Sequence, residues 1–348
     1  RVADGQGIYE WIDRDSNDIE TLDEFEIAAY QYNANYIRVS IPTNDYVKTH
    51  SNIFNESLYI RPDLVWRNQD GLKKMLSRFS NQTAYRVERK TTNNDYNQAY
   101  NPFLTNVVDS SLISLNSSFR NILYFNRSHP VFGLDLKFIQ VKGKSLMVNG
   151  LDSREHLMKS AYGRYNLNRE LTLNMLYGTG VKANSSEFFS SKDYLITFNE
   201  WGPKMTYQPN TTFRLSGSYN HKEKENTLEK LLTDSLGDTV SFSGGESALL
   251  HQIGLEFKHN AVSKGSLLIK ANYISIAFLD YKGDQATQNT SLGYEMLEGL
   301  QIGSNFTWSV SYQQSLSNNM QLSLTYDGKK SEESPATHRG GVQLRAFF

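Results

Sequence analysis

Cysteine is absent from the 348 residues, which excludes a disulfide framework, a thiolate zinc site and a thiol nucleophile. Proline is scarce, with seven in the whole chain, so long strands can run without interruption. No stretch approaches the roughly 18 consecutive apolar residues that a membrane helix needs, and the mean hydropathy is only -0.54. Helical membrane spans are therefore excluded. Neither sign of charge dominates, with 36 Lys and Arg against 37 Asp and Glu, and nucleic acid is not an expected partner. His-Glu-x-x-His, Gly-x-Ser-x-Gly, a Walker loop and a dinucleotide-binding glycine pattern are all missing. The chain starts at Arg1 without Met or a signal peptide, as expected of a mature chain or a piece of something longer.

What is present is aromatic and alternating. Tyr and Phe number 21 and 18, a profile that suits many β-strands with interfacial girdles. In the last eleven residues Val342, Leu344, Ala346 and Phe348 share one parity, while Gln343 and Arg345 share the other. A strand sends successive side chains to opposite faces, so this tail shows lipid an apolar face and an interior a polar one. Phe306, Trp308, Val310 and Tyr312 alternate with Thr307, Ser309 and Ser311, and Met320, Leu322, Leu324 and Tyr326 continue the same face. Equivalent series run through 132–138, 171–177, 213–219 and 253–257. Small hydroxyl or charged residues on one parity and large apolar ones on the other invert the logic of a soluble core and fit a membrane barrel. The alternative is a large soluble β-sandwich or propeller.

The pattern predicts an all-β fold, a closed antiparallel transmembrane β-barrel of about fourteen strands over residues 55–348. Residues 1–54 form an N-terminal non-barrel segment outside or plugging it. One of the fourteen strands is placed at 289–297. Parity breaks twice, between Phe198 and Trp201 and between Tyr273 and Ile274. At the first break a one-residue bulge near Asn199–Glu200 would restore the face. Polar stretches at 142–154, 181–192, 222–246 and 328–337 read as extracellular loops, although 222–246 then falls on the wrong side of the strand count.

The runs Tyr294–Trp308, Tyr326–Ser331 and His338–Phe348 resemble the C-terminal β-barrel region of large Bacteroidota-type outer-membrane proteins. The segment Gly5–Glu26 resembles the N-terminal lead-in of the same proteins. The resemblance implies an integral position in the bacterial outer membrane and a missing N-terminal region, and it carries no activity.

One motif offers metal chemistry. Asp13, Asp15, Asn17, Ile19 and Glu24 occupy positions 1, 3, 5, 7 and 12 of a calcium loop, a spacing that wraps hard oxygen donors around one Ca2+ ion. Position 6 should be Gly and is Asp18, a residue type that tolerates the left-handed backbone better than most. The alternative is an acidic turn without metal. His221, Asp234 and Ser235 could in principle form a rim-active hydrolase group, but a solvated polar loop accounts for them, and no catalytic residue is assigned. The sequence thus predicts an outer-membrane anchor of a longer protein, in contact with lipid and with other outer-membrane or periplasmic proteins. Its role would be scaffold or accessory in transport, secretion or assembly, the alternative being a diffusion channel or substrate transporter.

Overall fold

The computed structural model describes all residues except 14–17, 22–23, 29, 40–45, 105–108, 148–149, 188, 190–191, 234–238, 262–264, 280–289, 318, 333 and 347–348. A small ribbon comes first, in which β1 (Tyr9–Trp11) pairs antiparallel with β2 (Phe25–Ile27). The main sheet then begins with β3 (His50–Ile60), β4 (Phe79–Thr91), β5 (Leu112–Phe125), β6 (Phe132–Met147) and β7 (Gly150–Asn166). It continues through β8 (Leu171–Ser186), β9 (Tyr194–Tyr207) and β10 (Phe213–Asn226). A hairpin of β11 (Glu229–Thr233) and β12 (Thr239–Ser243) stands apart from that sheet. The chain returns with β13 (Ser247–Ala261), β14 (Gly265–Leu279), β15 (Gly303–Ser317), β16 (Met320–Ser331) and β17 (Thr337–Ala346). Short helices sit in the connections: α1 (Asp63–Trp66), α2 (Leu72–Leu76), α3 (Tyr96–Tyr100) and α4 (Ser291–Met296).

Thirteen strands form one sheet in sequence order from β3 to β17, with the β11–β12 hairpin left out and each neighbouring pair antiparallel. The expected all-β antiparallel architecture is therefore present, but the expected closure is not. With an odd number of alternating strands, β3 and β17 run in the same direction, so joining them directly would require a parallel ladder. Among the described residues none pairs across these two edges.

The fourteenth strand expected at 289–297 is instead helix α4. Removing it repairs the order of connections. Alternating strand direction puts the β5–β6, β7–β8, β9–β10, β13–β14 and β15–β16 connections at one end of the sheet. The β4–β5, β8–β9, β10–β13, β14–β15 and β16–β17 connections fall at the other, which puts the connection after β10 on the long-loop side. The loop expected at 142–154 is mostly strand. β6 and β7 run on to a tight connection, with Met147 paired to Gly150, and Gly150 takes φ +87° there, a value that only Gly adopts freely.

Register joins the apolar series into one face. Ile253, Leu255 and Phe257 lie opposite Tyr273, Ala271 and Ile269, which in turn face Phe306, Trp308 and Val310. Tyr312 and Leu324, and then Leu324 and Val342, continue the band. Leu255 and Val342 are 59% and 76% exposed, far outside the range of a core between two packed sheets. The opposite face is polar. Arg214 donates to Glu256 (2.6 Å) and Lys270 lies 3.8 Å from the same carboxylate, while Gln252, Asn272 and Thr307 form a hydrogen-bonded ladder.

Neither parity break is a bulge. β9 pairs with β8 without a register shift from Leu171–Tyr207 to Asn184–Tyr194, and β14 pairs continuously with β13. The faces themselves change character. Ile196 on β9 and Ile274 and Ile276 on β14 point to the polar side and are buried there under α4, while Phe198 is buried on the same side between the His156 ring and Lys222.

Candidate functional site

The polar face holds a site built around α4. Thr290 caps the helix by accepting from Gly293 N (3.2 Å), which satisfies one of the orphan N–H groups of the first turn. Leu292, Met296 and Leu297 are buried against Ile196, Ala248, Leu250, Ile274 and Ile276. Each fully buried side chain of this size contributes about 1.5–3 kcal/mol relative to exposure, enough to hold a six-residue helix that could not stand alone.

Ion pairs fasten its C-terminal end. Lys224, whose side chain is 2% exposed, donates to the Glu295 and Met296 carbonyls (2.9 and 3.0 Å) and pairs with Glu298 (3.0 Å). Lys222 bridges Glu298 (2.8 Å) and Glu200 (3.5 Å), and Lys182 pairs with Glu295. A cation against the last carbonyls of a helix also meets the negative end of its dipole. Glu298 reaches both lysines from a left-handed backbone, φ +56°, and Gly299 follows at +72°. A non-glycine residue in that region costs of order 1 kcal/mol, and the two ion pairs offset it. Burial would push the Glu298 carboxyl upward, but the Lys224 charge, then the hydrogen bond and charge of Lys222, outweigh it and hold the group at about 2.

The predicted calcium loop lies apart from this site, at the end of the β1–β2 ribbon. Asp15 and Asn17 fall outside the described residues. Asp13 Oδ2 accepts from Asp18 N (3.1 Å), and Asp18 has φ +55°, the left-handed conformation the sixth position of such a loop requires. Glu24 is buried, its Oε2 accepting from Trp11 Nε1 (2.9 Å) and Thr21 N (3.3 Å). Ile19 is exposed. Phe25 packs edge-on against Tyr36, ring centroids 5.0 Å apart. Among the described residues no group of three or more His, Asp or Glu side chains is placed to hold a metal ion. His221 lies on β10 with Nε2 3.0 Å from Glu223, while Asp234 and Ser235 fall outside the described residues.

No family model matches the chain, and no curated protein matches it. Solved structures do. A NanC porin aligns at 9% identity and TM-score 0.33, over 66% of this chain and 94% of its own. The β domain of the Bordetella autotransporter BrkA aligns at 12% and 0.35, over 68% and 91%. The siderophore receptor PirA from Acinetobacter baumannii aligns at 9% and 0.44, over 91% of this chain and 43% of the receptor. The location follows from the chain's own faces, since a continuous exposed apolar band backed by a polar face is the arrangement that lipid on one side demands. This is an integral outer-membrane protein. It crosses with strands, no described helix being long and apolar enough to do so.

The α4 site was not legible as a site in the sequence. Its one signal was the double parity switch, which marks apolar side chains turning from lipid toward something inside.

Proposed function

We propose that the chain is the membrane-embedded region of a longer outer-membrane protein of the Bacteroidota type. It would anchor that protein as a scaffold or accessory in a transport, secretion or assembly complex. The observation that carries this proposal is α4, buried on the polar face and fastened by Lys182, Lys222 and Lys224. A wall whose inner surface is occupied by a packed helix suits an anchor better than an open pore. The rest of the polar face favours the second reading, a diffusion channel, because its Arg214–Glu256–Lys270 group and Asn272–Thr307 ladder would line a wet lumen.

Closure is part of the proposal. Each unpaired backbone group in lipid costs several kcal/mol, so the edges β3 and β17 are paired in the membrane. Because they run the same way, antiparallel closure takes an odd number of strands beyond the thirteen described. No enzymatic activity is part of the proposal. Purified protein in planar bilayers should give no steady conductance, and the native protein should be recovered from membranes in a stable complex. Large steady conductance from a protein recovered alone would make the channel the better account.

A calcium site in the ribbon is proposed alongside, with Asp13, Asp15, Asn17, the Ile19 carbonyl and Glu24 as ligands. The left-handed Asp18 and the spacing support it. Affinity should lie near that of extracellular modules, roughly 10⁻⁴–10⁻³ M, and Glu24→Gln should weaken it most. Calorimetry showing no calcium-dependent heat that Glu24→Gln removes would leave a metal-free acidic turn.

A further inference from the structure

The end of the sheet opposite α4 carries a second polar site. A cavity of about 360 Å³ opens between the β3–β4 connection and the β5–β6 turn, with Arg61, Arg67, Arg78, Arg127, Asn126 and Asp63 among its lining residues. Its lining thus includes four arginines and one carboxylate, Asp63. Asp63 engages two of them through one oxygen, with Arg61 at 3.4 Å and Arg67 at 3.5 Å. Arg127 is held 4.3 Å above the Tyr124 ring.

The turn is rigidly built. Asn126 N donates to Arg78 O (2.8 Å), His129 N donates to Asn126 O (3.0 Å), and Arg164 donates to the Arg127 and His129 carbonyls (3.3 and 3.0 Å). Asn126 itself has φ +55°. It is only 6% exposed, and its side-chain nitrogen has no hydrogen-bond partner. A buried amide donor left unpaired costs about 1–3 kcal/mol. An acceptor in the cavity that Asn126 lines would satisfy this donor and offset the positive charge, while Asp63, whose Oδ1 is also buried and unpartnered, already gives the lining one acceptor of its own.

We infer that this pocket binds a phosphate group. Planar guanidinium forks match phosphate oxygens in pairs, and the Asn126 amide supplies a neutral donor beside them. Phosphate could come from a phospholipid headgroup or from a soluble anion. The headgroup is favoured by Leu64, Val65 and Leu72, which sit more than 70% exposed on the connection that also supplies Arg61 and Arg67. Exposed apolar side chains beside a basic cluster are the composition of a segment lying at a membrane surface.

The test uses the full chain in a neutral, phosphate-free detergent, with two probes. One is inorganic phosphate followed by 31P NMR, and the other is nanodiscs containing phosphatidylglycerol followed by native mass spectrometry of retained lipid. Binding of both, each displaced by the other, identifies the phosphate itself as the ligand. Retention of lipid alone identifies the headgroup. In either case Arg78→Gln with Arg127→Gln should reduce binding at least tenfold. Asn126→Gly should reduce it several-fold, since it keeps the left-handed backbone and removes only the amide. Folding of each variant is checked by its heat-modifiable migration in gels. Binding of neither probe to the folded wild type, or binding unchanged in the folded double variant, would overturn the inference.

Discussion

At the scale of single residues the chemistry concentrates on Lys224 and Glu298. Lys224 is buried among two helix carbonyls and one carboxylate, so Lys224→Ala removes a charge and leaves those acceptors facing a void. Breaking a buried pair in this way costs about 3–5 kcal/mol. The variant should release α4, read as new protease cleavage between β14 and β15 with the rest of the sheet intact. An unchanged digestion pattern would mean that the apolar contacts hold the helix alone. Glu298 sets a pH window. Its folded-state carboxyl sits at about 2, below the ordinary value of 4.5, so its contribution is complete above that ordinary value and is lost as pH falls toward 2. Protection of α4 in wild type should therefore persist from neutral pH to about 4.5 and fall below it, whereas Glu298→Gln should show a flat, weaker protection across the same range. Asp18 was legible in advance, because one residue type at one position of a known loop has few conformations open to it. Glu298 was not, since nothing in Leu297-Glu298-Gly299 announces that two lysines some seventy residues upstream will hold the turn.

At the scale of elements, strands on the lipid side were readable because period two repeats over many residues. Ser291–Met296 was misread as a strand for the same reason in reverse. Leu292, Tyr294 and Met296 alternate, yet Leu292 and Met296 are also four apart, the spacing of one helix face. Six residues are too few for periodicity to decide. The polar stretch 142–154 misled differently. At its base Glu155 pairs with Lys142 (3.3 Å) and accepts from Gln140 (2.7 Å), and from there the two strands stay paired out to Met147 and Gly150. The two faces should respond oppositely to mutation. Met296→Ala, in the cluster between α4 and the sheet, should cost about 2–5 kcal/mol, whereas Leu255→Ala, at an exposed position, leaves no protein cavity and should cost much less. Ile269→Arg on the apolar face should cost about 2–4 kcal/mol if it lies near the bilayer midplane, with Ser309→Arg on the polar face much cheaper. Urea unfolding in lipid vesicles compares all four, and equal costs for Ile269→Arg and Ser309→Arg would contradict the assignment of faces.

At the scale of the whole molecule, the central claim is that thirteen strands present one face to lipid and the other to an interior. Composition and alternation carried that claim far, since a barrel needs only every second residue to be apolar. They could not fix the strand number, which turned on six residues of helix, nor closure, which depends on what meets β3 and β17. The absence of cysteine makes a direct test available, because any single cysteine is a unique labelling site. Spin labels placed one at a time from Ile253 to Lys258 on β13, and from Leu267 to Asn272 on β14, can be read in lipid vesicles for access to oxygen, which concentrates in lipid, and to a water-soluble nickel complex. The account predicts strict alternation: labels at 253, 255, 257, 267, 269 and 271 favour oxygen, and labels at 254, 256, 258, 268, 270 and 272 do not. Labels on both parities equally open to nickel, or access that varies with no period of two, would contradict it.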